Sequence, residues 1–132
     1  MWFETLPKDC PPEDADVTGN LSVPLYRIIE DHGRPVQCSD FWSQHKMAPG
    51  KTFNGVTECI ACSVSLLDVE GCERVLKMPR FKRKRGEVML ARVHLGPDAG
   101  RIKKTSGHGH YSWWRSVSFK ADISSEIVEL QP

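Results

Sequence analysis

The sequence predicts an α+β fold: a single compact domain built on a mainly antiparallel sheet, with two short helices inserted near its middle. Three observations predict it. Residues 87–95, Glu-Val-Met-Leu-Ala-Arg-Val-His-Leu, form an apolar, β-compatible run bounded by Gly86 and Gly96. Residues 107–115, Gly-His-Gly-His-Tyr-Ser-Trp-Trp-Arg, hold two of the four Trp in an aromatic strand pattern. Nine Pro and ten Gly punctuate the 132 residues too often for long helices.

In chain order, residues 1–22 read as an irregular N-terminal arm packed on the domain, and residues 23–132 as the domain itself. The arm carries Pro11 and Pro12 among acids, while Trp2, Phe3 and Leu6 are apolar anchors. Residues 23–30 are a strand, rich in β-branched and aromatic side chains and closed by Gly33; Pro24 suits a strand start or edge. Ser39 or Asp40 is expected to cap a short helix running to Met47, with Pro49-Gly50 as its stop. Thr57 caps a single turn through Cys62, and residues 63–67 fit either a strand or a continued helix. Asp68 opens a further helix over 69–78 with Val69, Cys72, Val75 and Leu76 as its stripe, stopped by Pro79. After the strand at 87–95 and a Gly-Pro turn, residues 101–104 pair back as a short strand. The aromatic stretch follows, and residues 117–119 and 126–130 close the sheet.

In the aromatic stretch, Tyr111 and Trp113 share one face and Ser112 and Trp114 the other. One reading puts these rings in the core and under a loop. The other has Gly107 and Gly109 admit a ligand to His110 and Tyr111, since glycine lets a backbone approach closely. The first reading is favoured because aromatic strands usually fill cores. On it, Trp113 is essential to folding, whereas His110 and Arg27 are dispensable for it.

Composition narrows the setting. No apolar run approaches the ~20 residues of a membrane span, so no membrane contact is expected. The N-terminus lacks a basic, then long apolar, leader, which points to the cytoplasm. With that setting, the odd count of five Cys is expected to mean free thiols. Cys59-Ile60-Ala61-Cys62 has a spacing zinc accepts, but no second paired motif completes four ligands, so no metal and no cofactor are expected.

The net charge of +1 hides an asymmetry, because residues 74–104 hold eleven of the eighteen Lys and Arg against Glu87 and Asp98. Its centre is Arg80-Phe81-Lys82-Arg83-Lys84-Arg85, an exposed connector whose cations suit phosphates or an acidic protein partner and whose Phe81 suits a base. With Trp114, these residues form the expected partner surface. A protein partner is favoured, with nucleic acid the alternative through residues 80–85.

A dispersed set adds a second possibility. Tyr26-Arg27 on a strand, Ser63-Val64-Ser65 before a helix, and Glu126 or Glu129 near the end loosely resemble the Arg–Ser–Glu order of ADP-ribosyltransferase-type domains. The resemblance implies an NAD-using enzyme with Arg27, Ser65, His110 and Tyr111 at its catalytic site and Arg27 gripping a phosphate. Glu126-Ile127-Val128-Glu129 departs from the family's Glu-x-Glu, and the chain is short for that fold. Pro11-Pro12-Glu13-Asp14-Ala15, Tyr26-Arg27, Asp40-Phe41, Cys59-Ile60-Ala61-Cys62 and His110-Tyr111-Ser112-Trp113-Trp114 together resemble a set of small bacterial proteins of unassigned function. That resemblance implies one compact bacterial domain and carries no catalytic residue. Whether the chain is an enzyme stays open at this point. The leading expectation is a small binding or accessory module, of the kind found in conflict and defence systems.

Overall fold

The computed structural model describes residues 1–30, 36–79 and 88–128. Seven strands form one antiparallel sheet in the order β1-β5-β6-β3-β2-β4-β7. They are β1 (Asp16–Val17), β2 (Leu25–Glu30), β3 (Val64–Leu67), β4 (Val88–Val93), β5 (Gly100–Ser106), β6 (His110–Arg115) and β7 (Ser125–Val128). The α+β class follows, with short helical segments α1 (Gln44–Met47), α2 (Glu58–Ala61), α3 (Val69–Leu76) and α4 (Ala121–Ser124).

Alternation along each strand sorts the side chains onto two faces. One face gathers Leu25, Ile29, Leu66, Ala91, Val93, Ile102, Tyr111 and Trp113 into the main core, covered by Phe41 and Phe119. The opposite face carries a smaller cluster of Tyr26, Leu90 and Cys72, where α3 lays its apolar stripe. Trp113 anchors the main core. It is wholly buried, meets Phe41 and Phe119 edge-on at 6.5 and 4.7 Å, and donates its indole N–H to Ala99 O at 3.0 Å.

Caps set the helix starts. Ser43, not Ser39 or Asp40, caps α1: its hydroxyl accepts from Lys46 N at 3.1 Å. Asp40 instead closes a tight 3-10 turn, Cys38–Phe41, by accepting from Gln37 N at 2.8 Å. That turn drops Phe41 into the core, which a longer helix would have pointed elsewhere. Thr57 and Asp68 cap α2 and α3 as expected. The ambiguous segment 63–67 becomes β3 because it must fill the slot between β6 and β2.

Three expectations are corrected. Residues 1–22 are not wholly irregular: Asp16 and Val17 pair with β5, a 3-10 turn spans Thr18–Asn20, and Trp2 bridges to Ser116. The backbone N–H groups there find partners despite the prolines around them. Residues 117–119 form no strand, since Val117 N turns back to Met1 O and Phe119 plugs the core. Nor are all five cysteines free, for Cys10 and Cys59 form a disulfide that ties the arm to α2, leaving Cys38, Cys62 and Cys72 as thiols.

Candidate functional site

The pleat separates the residues expected to act together. Arg27 and Tyr111 project to the main-core face, in line with Leu25 and Trp113, whereas Ser65 and His110 project to the face of Tyr26 and Leu67. Ser65 and His110 do lie on adjacent strands of one face, opposite Ser112 and Leu67 respectively. Thr105 Oγ1 joins His110 Nδ1 at 3.0 Å to Ser112 Oγ at 2.8 Å. Burial, reinforced by the charge of Arg27, pulls the His110 pKa down and favours its neutral ring.

Arg27 has a structural task. Its Nε donates to Asp40 O at 3.2 Å, one terminal nitrogen to Ser65 O at 2.9 Å and the other to Trp42 O at 3.3 Å. The guanidinium therefore fills the gap where β2 and β3 diverge after their pair Tyr26↔Leu67. These three bonds argue against the expectation that Arg27 is dispensable for folding. Arg27→Ala is expected to strand three carbonyls and cost about 2–4 kcal/mol, at about 1 kcal/mol or more for each lost partner. Urea unfolding checks it; an unchanged midpoint would show the three bonds to be idle.

Of the two glycines beside the aromatic strand, Gly109 abuts the start of a helix, whereas a Cβ on Gly107 would meet open space. Gly109 has φ +80°, and a Cβ there would collide with the Asp68 carboxylate. Asp68 N in turn donates to Gly109 O at 3.0 Å, docking the start of α3 on the β5–β6 turn.

Trp114, expected at a partner surface, is wholly buried with its indole N–H on Cys59 O at 2.9 Å. Burial leaves it no surface to offer, so it is removed from that role. The rest of that expected surface, Arg80, Phe81, Lys82, Arg83, Lys84 and Arg85, lies outside the described residues.

A constellation that sequence reasoning missed sits where the arm meets α1 and α2. Glu4, His45 and Cys62 each place one ligand-type atom within 4.8 Å of the other two. Glu4 arrives on the arm, which Phe3 N pins to Arg115 O at 2.9 Å. His45 rides on α1, and Cys62 ends α2 as its C-cap. Ser43, buried at the start of α1, donates its hydroxyl to Glu4 Oε1 at 2.6 Å. That bond turns Glu4 Oε2 toward His45 Nδ1, 3.4 Å away. Burial, then the charges of Glu4 and Glu58, push the Cys62 thiol up to about 11. A lone Glu, His and Cys spread through the chain carry no motif, so only the fold discloses them.

An open hollow of about 240 Å³ beside Met1, Trp2, Pro97, Asp98, Arg101 and Ser116 shares no residue with this cluster. Among the described residues no helix is long and apolar enough to cross a membrane. The chain matches no known protein family, no curated protein and no solved structure.

Proposed function

We propose that the domain is a small binding module that engages an acidic partner through its basic connector, residues 80–85. The supporting observation is where the cations are left. Arg27 and Arg115 are bound into main-chain carbonyls, whereas Arg74 and Lys77 stay exposed at the end of α3 and run directly into the connector in sequence. Cations drawn into the fold cannot meet a partner, and cations held in solvent can. The transferase alternative has less to rest on, because Arg27 would have to release three carbonyls to grip a phosphate. A cytoplasmic location remains part of the proposal.

The test measures binding of an acidic peptide and of single- and double-stranded DNA and RNA across a salt series. Replacing Arg80, Lys82, Arg83, Lys84 and Arg85 with Gln is expected to abolish salt-sensitive binding of the acidic peptide. Preference for nucleic acid, with the slope of log affinity against log salt falling by about one per lost phosphate contact, would move the reading to a nucleic-acid module. No binding of either probe at low salt overturns both.

A further inference from the structure

We propose that Glu4, His45 and Cys62 form a binding site for a zinc-class divalent ion, with three protein ligands and a fourth position open to water. The donor set is the first ground. Thiolate, imidazole and carboxylate are the ligand types zinc takes, and the thiolate disfavours magnesium and calcium, which want oxygen. Three protein ligands plus water is the coordination of an open zinc centre rather than a closed structural one.

Spacing is the second ground. Ligand atoms around a tetrahedral zinc stand about 3.3–3.7 Å apart, as bond lengths near 2.0–2.3 Å require. The 3.4 Å between His45 Nδ1 and Glu4 Oε2 is long for a hydrogen bond but falls inside that range. With all three atoms within 4.8 Å of one another, Cys62 Sγ needs to close by about 1 Å at most.

The surroundings are the third ground. Ser43 holds the outer oxygen of Glu4, the kind of supporting bond that fixes a ligand's orientation. The Glu4 and His45 side chains are 12% and 34% exposed, so the site is sheltered on the Cys62 side and reachable on the His45 side. The cation nearest in sequence, Lys46, is held over the rings of Phe3 and Trp42 at 5.1 and 4.9 Å. Two anionic ligands, the Glu4 carboxylate and the Cys62 thiolate, balance a 2+ ion.

On binding, the Cys62 S–H bond breaks, its proton goes to solvent, and an S–metal bond forms. Because the ligand is the thiolate, binding releases a proton and apparent affinity is expected to rise with pH.

The experiment uses the full chain with the Cys10–Cys59 bond intact, shown by three titratable thiols. Zinc is added alone and measured by equilibrium dialysis. Cobalt is added in parallel, to look for the thiolate-to-cobalt charge-transfer band. One ion per chain is expected. Cys62→Ala and His45→Ala should each weaken binding more than about 100-fold, and Ser43→Ala about 10–100-fold. Glu4→Gln, which keeps the shape, guards against a variant that loses binding by unfolding; circular dichroism verifies each fold. Binding that survives Cys62→Ala, absence of the cobalt band, or no zinc bound at micromolar concentration overturns the proposal.

Discussion

Trp113→Ala is expected to lower stability by ~3–5 kcal/mol, enough to leave much of a domain this small unfolded at 37 °C. The side chain is wholly buried at the centre of the main core, so its removal opens a cavity that Phe41 and Phe119 cannot fill without leaving their edge-on contacts. It also removes the indole N–H bond to Ala99 O, which then keeps Ser116 N as its remaining donor. Trp113→Phe should recover most of the packing and lose the hydrogen bond, costing less than the alanine variant. Denaturant midpoints for the two variants check the order. A loss under about 1 kcal/mol for Trp113→Ala would mean that this face of β6 is not the core.

Breaking the Cys10–Cys59 bond is expected to cost up to about 4 kcal/mol, the chain-entropy value for closing a loop of this length. The two residues lie 49 apart in sequence. Comparing the native protein with the Cys10→Ala/Cys59→Ala variant by urea unfolding measures it, since the variant removes the crosslink without leaving reactive thiols. A difference under about 1 kcal/mol would show that the arm is held by its other contacts, among them the β1–β5 pairing, the Trp2–Ser116 bridge, Phe3 N on Arg115 O and the Lys103–Asp14 ion pair. Disulfides persist mainly in oxidising compartments. Counting thiols on protein taken straight from cells therefore also tests the cytoplasmic location.

Local pattern disclosed much of this fold. The apolar run of β4 and the alternating rings of β6 announce their strands because burial on a pleated surface demands those residues there. Thr57 and Asp68 are visible as caps because the side-chain oxygen that satisfies a free N–H is a property of one residue. What stayed hidden depends on distant partners. Asp16 and Val17 become a strand only because β5 offers an edge, and prolines nearby mask that. Cys10 finds Cys59, and Glu4 finds His45 and Cys62, across stretches of chain that no spacing rule links. Arg27 reads as a free cation on a strand until the three carbonyls around it are seen.

The sparse contact between β2 and β3 has a topological consequence. With Tyr26↔Leu67 as their ladder pair, the sheet is two ribbons laid side by side, β1-β5-β6-β3 and β2-β4-β7, and Arg27 is the rivet through the seam. The strand order makes the chain pass from one ribbon to the other between β1 and β2, β2 and β3, β3 and β4, β4 and β5, and β6 and β7. Neither ribbon is a continuous stretch of sequence, so neither can be excised without cutting the other; β1-β5-β6-β3 has all its strands once β6 is made, whereas β2-β4-β7 waits for the last strand of the chain. The protein is laced rather than hinged: the seam is its thinnest line of bonding, yet the ribbons cannot part along it without pulling on every crossing.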